Sequence, residues 1–251
     1  MAGAASVSVV AALRSVSAVY GGRTVLGPID LEISAGEVVA LVGPSGCGKS
    51  TALRLLTGLE AASQGEVIRS AGRQETAMVF QHPTLMPWAT ALSNTALPLE
   101  LSGVPKPQAA ARAAAVLAQV GLAGAERLKP AQLSGGMAMR VSLARAIAVE
   151  PRLLLLDEPF AALDEITRRK LADDVLALCD RLRPAVVFVT HNVEEAVYMA
   201  RRVVVMSPGP GRIVGEVDID GPQVRPPRFR TTAQFREAAE RVSALLEEAM
   251  A

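Results

Sequence analysis

The run Gly43-Pro44-Ser45-Gly46-Cys47-Gly48-Lys49-Ser50-Thr51 sets the architecture of this chain. It fits the pattern G-x-x-x-x-G-K-[ST], in which backbone N–H groups close around phosphates and the lysine reaches the terminal one. The segment Glu37-Val38-Val39-Ala40-Leu41-Val42 before it predicts a buried strand, and residues 50–56 after it predict a helix. The N-terminus of a helix attracts anions through its free N–H groups and its dipole. We therefore predict that residues 43–51 bind the phosphates of a nucleotide.

A second element, Leu153-Leu154-Leu155-Leu156-Asp157-Glu158, predicts a buried strand that ends in two carboxylates. Ligands of open α/β sheets bind beyond the carboxyl ends of the strands. Asp157 is therefore predicted to hold Mg²⁺, and Glu158 to polarise an attacking water. An apolar run followed by Asp-Glu is by itself as often a strand leading into a turn. The phosphate loop upstream makes the magnesium interpretation the stronger one.

A third element, Leu133-Ser134-Gly135-Gly136-Met137, precedes the helical spacing of Val141, Ala144 and Ile147. Ser134 is a natural N-cap. The two glycines leave backbone N–H groups open to a second anion contact. Without the phosphate loop, the same residues would be read as an ordinary start of a helix.

The order of elements predicts an α/β fold. Apolar runs at residues 38–42, 77–80, 153–156, 186–189 and 203–206 predict a parallel sheet that is covered on both faces. Residues 89–150 are alanine-rich and helical in pattern, which predicts a helical subdomain inserted into a core formed by residues 1–88 and 151–221. Residues 222–230 predict an extended connector, followed by an amphipathic helix behind a possible capping box from Thr231 to Gln234.

Composition excludes several classes of protein. A net charge of +1 and 3% aromatic residues argue against a nucleic-acid surface. No apolar run approaches the roughly eighteen residues that a bilayer crossing needs. Residues 2–20 could be mistaken for a signal peptide. They have no basic residue at their start, however, and Arg14 interrupts the apolar run. The alternation of Val7, Val9 and Ala11 indicates a strand instead. Two distant cysteines, Cys47 and Cys179, fit a reducing compartment, so a cytoplasmic location is expected.

Taken in order, the motifs resemble those of the nucleotide-binding subunit of ATP-binding cassette (ABC) transporters over nearly the whole chain. The resemblance implies a P-loop NTPase core of the RecA type, antiparallel strands at the N-terminus and the inserted helical subdomain. It implies ATP and Mg²⁺ as cofactors and the hydrolysis of ATP to ADP and phosphate. The implied catalytic residues are Lys49, Gln81, Glu158 and His191, and the implied Mg²⁺ ligands are Ser50, Gln81 and Asp157. The implied nucleotide-binding residues are Tyr20, which stacks on adenine, residues 43–51, Ser134, Gly135, Gly136 and Asp164.

Finer features resemble importers of nitrate, alkanesulfonates and taurine. Met137 stands where most of the family has glutamine, and the runs Met86-Pro87-Trp88 and Met206-Ser207-Pro208-Gly209-Pro210-Gly211-Arg212 point the same way. Asn192 replaces the aspartate that is common after the histidine, which leaves the local hydrogen bonding open. The implied function is to energise the import of a small anionic solute.

The resemblance also implies partners. Two copies would form a head-to-tail dimer around ATP, in which Ser134 to Gly136 of one copy complete the site of the other. Membrane permease subunits would dock near Gln81, with a solute-binding protein as an indirect partner, at the cytoplasmic face of the membrane. Pro87 and Trp88 are either part of that docking surface or an ordinary packed turn with a buried indole.

Other functions are also compatible with the sequence. A soluble ABC ATPase acting on DNA, ribosomes or cluster assembly would often carry a second cassette, a long insertion or a basic extension, and none is visible. A cassette for lipids or metals is a further alternative. The residues Ser134-Gly135-Gly136 and His191 argue against a kinase or a switch GTPase. The Cys47 thiol is interpreted as a small packing group that a reagent could still reach, in which case alkylation would block nucleotide binding.

Overall fold

The computed structural model of the protein describes residues 8–222 and 225–250, which fold into two β-sheets and seven α-helices. The strands are β1 (Val9–Tyr20), β2 (Arg23–Ser34), β3 (Val38–Val42), β4 (Gln64–Arg69), β5 (Thr76–Val79), β6 (Leu153–Asp157), β7 (Ala185–Thr190), β8 (Arg202–Met206) and β9 (Ile213–Asp218). The helices are α1 (Lys49–Thr57), α2 (Ala91–Leu101), α3 (Lys106–Gln119), α4 (Gly135–Ile147), α5 (Glu165–Leu182), α6 (Val193–Met199) and α7 (Ala233–Met250).

The larger sheet has six strands in the order β5-β6-β7-β3-β8-β9. Its first five strands are parallel, and β9 pairs antiparallel with β8. Every residue of β6 and β7 is buried, as expected for continuous apolar strands covered on both faces. The predicted parallel sheet is confirmed. Strand β9 was not predicted, because Gly215 and Glu216 interrupt its apolar residues.

The smaller sheet is antiparallel, in the order β2-β1-β4. Apolar residues of β1 and β2 share one buried cluster with α1 and with residues of β3, so this sheet packs beside the phosphate loop. The antiparallel strands that the resemblance implied near the N-terminus are therefore present. Val7, which the sequence placed in the first strand, lies outside the described residues.

Helices α2, α3 and α4 lie between β5 and β6 along the chain and pack against one another. Their shared buried cluster contains Ala96, Leu99, Ala109, Ala113 and Ala148, and its small side chains let the helices approach closely. The fully described segment from α2 to α4 contains no strand, as predicted, whereas subdomain boundaries at residues 89 and 150 stay a prediction. None of the helices within residues 8–222 and 225–250 has the length and apolarity of a membrane span.

The C-terminal segment differs from the prediction in two respects. Residues Pro227–Thr231 form a 3₁₀ turn rather than an extended connector, because the fixed φ of proline suits the first helical positions. Thr232, and not Thr231, caps α7, since its Oγ1 accepts a hydrogen bond of 3.2 Å from the Phe235 N–H. Phe235 packs edge-on against Phe229 with 5.8 Å between ring centroids, which fixes α7 on the core.

Candidate functional site

The phosphate loop connects β3 to α1 and is shaped by its glycines. Gly48 has a φ of 94° and is the N-cap of α1. A Cβ atom at Gly48 would lie 3.1 Å from both the Val25 carbonyl oxygen and a methyl group of Leu26. A left-handed backbone with no room for a side chain requires glycine at this position. The loop therefore turns tightly into the N-terminus of α1, as the sequence predicted.

Lys49 directs its ammonium group into this loop. Its side chain is almost fully buried, and its Nζ donates hydrogen bonds of 2.8 Å to the carbonyl oxygens of Gly43 and Pro44. The Nζ also lies 3.7 Å from Cys47 Sγ. Among the described residues Lys49 makes no ion pair and its ammonium group is held by neutral carbonyls, so the loop favours an anionic ligand.

Ser50 and Asp157 lie together at the mouth of the loop. Ser50 Oγ donates a hydrogen bond of 2.8 Å to Asp157 Oδ1 at the end of β6. Burial raises the pKa of the Asp157 carboxyl, and the hydrogen bond from Ser50 opposes that shift. A hydroxyl and a carboxylate are oxygen donors that suit Mg²⁺, which takes further ligands from phosphates and water at nucleotide sites. The donor set therefore fits a magnesium ion bound together with a nucleotide.

Glu158, Gln81 and His191 converge beside this pair. Glu158 Oε2 lies 3.2 Å from His191 Nδ1 and 3.5 Å from Gln81 Nε2. They meet because β5, β6 and β7 are neighbours in the sheet. Glu158 and His191 directly follow the ends of β6 and β7, and Gln81 lies two residues after the end of β5. Glu158 has a φ of 44°, a strained conformation for a non-glycine residue, and its N–H donates to the Val189 carbonyl. Strain of this kind is typical of functional positions.

Ser134 and Asp164 each cap a helix. Ser134 Oγ accepts from the Met137 N–H at 3.2 Å, and Asp164 Oδ1 accepts from the Thr167 N–H at 3.0 Å. The bond from Thr167 lowers the pKa of the exposed Asp164 carboxyl. Within residues 8–222 and 225–250, no hydrogen bond or ion pair joins residues 134–136 to residues 43–51. Within one copy, direct polar contacts therefore do not join residues 134–136 to the phosphate loop.

Tyr20 ends β1 with 44% of its surface exposed. Its hydroxyl donates a hydrogen bond to Glu60, which raises the pKa of the phenol. The exposed ring is available for stacking, as the resemblance implied. Its role toward adenine stays a prediction.

A profile of the ABC transporter family matches residues 26–161, more than half of the chain. The chain belongs to the ABC transporter family. It is 48% identical over 228 residues to an aliphatic sulfonates import ATP-binding protein from Nocardia farcinica, and the match covers 90% of each chain. It is 43% identical over 207 residues to a taurine import ATP-binding protein from Escherichia coli O157:H7, covering 80% of this chain and 81% of that protein.

Solved structures agree with this assignment. A bacterial ABC transporter cassette in dimeric form superposes with a TM-score of 0.75 at 32% identity, covering 84% of this chain and 99% of that one. A dimeric post-hydrolysis state of an ATP-binding cassette, bound to ADP and Pi, gives a TM-score of 0.74 at 31% identity. The predicted fold class is confirmed. The chain is thus an ABC ATPase, which binds and hydrolyses ATP.

The structure shows the surroundings of Asn192 and Cys47, two residues whose local contacts the sequence left open. Asn192 is the N-cap of α6, and its Oδ1 accepts from the Glu195 N–H at 3.1 Å, so the replacement of aspartate keeps the cap. Cys47 is fully buried inside the phosphate loop. This burial agrees with its interpretation as a small packing group, and the effect of alkylating the thiol on nucleotide binding stays a prediction.

The sequence did not identify Asn94 as important. This residue is fully buried, and its Oδ1 accepts a hydrogen bond of 2.8 Å from the Met86 N–H. Its Nδ2 donates to the carbonyl oxygens of Met86, Ala89 and Thr90. The loop around Trp88 is thereby held in place while 73% of the Trp88 surface stays exposed. The alternative of a buried indole is wrong.

The sequence also assigned no role to Gly211, which packs against the backbone of the phosphate loop. It lies in the turn between β8 and β9, where its N–H donates to the Val25 carbonyl and its own carbonyl accepts from Gly27, both at 3.0 Å. A Cβ atom at Gly211 would lie only 1.7 Å from the Cys47 carbonyl oxygen. Any side chain at Gly211 must therefore displace the phosphate loop or the turn.

We expect Gly211→Ala to weaken ATP binding by at least about tenfold, or about 1.4 kcal/mol, because the backbone of Cys47 must shift to relieve the clash. Equilibrium titration with ATP measures the change. Gly209→Ala is the matched control, since a Cβ atom there meets nothing within 4 Å in the same turn. Equal ATP affinities for the two variants would contradict a supporting role of Gly211.

Proposed function

We propose that this ABC ATPase energises the import of a small anionic solute, of the aliphatic sulfonate or taurine type, through a membrane permease. The names of the relatives from Nocardia farcinica and Escherichia coli support the class of solute. The observation that carries the ATPase role is the convergence of Gln81, Glu158 and His191 beside the phosphate loop. Nitrate remains an alternative solute, because the sequence features are shared with nitrate importers.

The residues around the phosphate loop would have different roles in ATP hydrolysis. Lys49 would contact the terminal phosphates of ATP, while Ser50, Asp157 and Gln81 would hold Mg²⁺. When bound, Mg²⁺ supplies positive charge that offsets the phosphates. Glu158 would accept a proton from the attacking water, and its contact with His191 would keep both side chains in line with the γ-phosphate.

Two copies would share each nucleotide. Residues 134–136 make no direct polar contact with the phosphate loop of their own chain, and a Cβ atom at Gly135 meets nothing within 4 Å, so this surface is open to a ligand. A two-fold arrangement would place the residues Ser134 to Gly136 of one copy over the phosphate loop of the other and create two equivalent sites. The dimeric form of the superposed cassettes supports this arrangement.

A groove of about 670 Å³ would receive a segment of the permease. It is lined by residues of β5, α2 and α4, including Leu101, whose surface is 78% exposed. Arg145 lies in the same lining, and it donates hydrogen bonds to the carbonyl oxygens of Pro83 and Thr84 in the segment that follows Gln81. An occupant of the groove would thus act on the position of Gln81.

The function is tested with vesicles that contain the permease and this chain, together with the solute-binding protein. Radiolabelled taurine or an alkanesulfonate should accumulate only when ATP is present on the side of this chain. Uptake of nitrate alone would correct the solute, and ATP hydrolysis by a complete complex without uptake of any of these solutes would contradict the proposal.

We expect Leu101→Glu to reduce solute uptake by at least about tenfold while the isolated chain still hydrolyses ATP, because burial of a carboxylate in place of this leucine beneath a docked segment costs about 1.4 kcal/mol or more. Val214→Glu is the matched control. Val214 is an exposed apolar residue on β9, at the opposite edge of the sheet from β5. Equal uptake by both variants would show that the permease docks elsewhere.

A further inference from the structure

Arg168 reaches from α5 to the loop that carries Asp164. Its Nη2 donates a hydrogen bond of 3.0 Å to the Leu163 carbonyl oxygen. Its Nε is buried and makes no hydrogen bond among the described residues, and instead faces Glu195 Oε1 at 3.5 Å as an ion pair. The same guanidinium therefore contacts the Asp164 loop on one side and α6 on the other.

Glu195 continues this connection to the turn that carries His191. Only 12% of its side chain is exposed, and its Oε2 accepts a hydrogen bond of 2.6 Å from Thr190 Oγ1. Thr190 directly precedes His191, and its Oγ1 in turn accepts from the Asn192 N–H at 3.0 Å. Glu195 thus holds the residues on both sides of His191.

The pair should behave as one unit. Burial raises the pKa of Glu195, while the hydrogen bond from Thr190 and the charge of Arg168 oppose that shift. Removal of Arg168 leaves the largely buried Glu195 carboxylate without this counter-ion, which destabilises more than the intact pair stabilises. A second carboxylate, Glu165, lies 3.7 Å from Arg168 Nη1, but it is mostly exposed and does not contact the His191 turn.

We propose that Arg168 and Glu195 are positioning residues that couple the Asp164 loop to His191, so that engagement of the second copy at Asp164 places His191 for hydrolysis. The inference rests on the proposed dimer. His191 already lies 3.2 Å from Glu158, and a small displacement of the 190–192 turn would separate the two. Arg168 and Glu195 would contact neither the nucleotide nor the attacking water. They act through the two loops.

The test compares Arg168→Met, Arg168→Lys, Glu195→Gln and the double variant Arg168→Met/Glu195→Gln. Because a misplacement of about 1 Å can slow catalysis by about 100-fold, we expect kcat to fall between about tenfold and 100-fold in the Met and Gln variants. The Kd for ATP should stay unchanged, and the Hill coefficient for ATP should fall toward one. Arg168→Lys, which keeps the charge, should restore part of kcat. The double variant should be no slower than the slower single variant, since the residues form one connection.

Glu165→Gln is the matched control, because it removes the exposed ion pair with Arg168 and leaves the connection to Glu195 intact. Thermal unfolding of each variant identifies loss of fold. The coupling would be overturned if the double variant lost kcat by the product of the two single losses. A loss of ATP affinity with unchanged kcat would overturn it as well. Failure of Glu158→Gln protein to dimerise with ATP and Mg²⁺ would instead contradict the proposed function, so the two failures are distinguishable.

Discussion

Glu158→Gln protein should bind ATP with parental affinity and hydrolyse it at least about 100-fold more slowly, because a positioned general base contributes about 10² to 10⁴ in rate. The amide keeps the size of the carboxylate but cannot take a proton from water. Glu158 Oε2 is the atom on which His191 and Gln81 converge, so its chemistry, and not the shape of the site, should limit turnover. Release of phosphate in a single turnover measures the effect.

Glu194→Gln is the matched control for this variant. Glu194 is an exposed residue on α6, three residues after His191, and it makes none of the hydrogen bonds or ion pairs found at the site. Its substitution should leave the rate of hydrolysis unchanged. Parental turnover by Glu158→Gln protein would remove Glu158 from its role as the base.

Lys49→Ala protein should lose ATP binding. Truncation of one partner in a buried, hydrogen-bonded charge pair costs about 2–5 kcal/mol, which corresponds to a loss of affinity between about 30-fold and more than 1,000-fold. The substitution also leaves the carbonyl oxygens of Gly43 and Pro44 without their donor. ATP should therefore raise the unfolding temperature of the parental protein and fail to raise that of the variant.

Lys106→Ala serves as the control, since Lys106 is exposed at the start of α3 and lies outside the phosphate loop. It should keep the response of the unfolding temperature to ATP. An equal response in the Lys49→Ala protein would show that the ammonium group does not contact the nucleotide.

Features that depend on residues close together in the sequence were predicted correctly. The turn from β3 into α1 follows from glycines whose backbone conformation and crowding allow no side chain, so a local pattern is sufficient to find it. The predicted cap at Ser134 is equally local, because its Oγ accepts a hydrogen bond from the N–H three residues later. The five predicted strands of the parallel sheet were also found, since each is a continuous apolar run.

Contacts between distant segments could not be predicted from one sequence. Gly211 reaches Cys47 only because β8 lies beside β3 in the sheet. The connection from Arg168 to Glu195 joins two helices that are separated along the chain by β7. The exposure of Trp88 depends on the four hydrogen bonds of Asn94, whose sequence context is that of an ordinary helix start.

The sharing of ATP between two copies is measured by the solution mass of Glu158→Gln protein, in which the bound nucleotide persists. With ATP and Mg²⁺ the mass should rise from one chain of 26.2 kDa to two, and with ADP alone it should remain that of one chain. Ser134→Arg in the same background should still bind ATP but stay as single chains, because the added side chain blocks the surface offered to the partner. A mass of one chain for Glu158→Gln protein saturated with ATP would contradict the shared site.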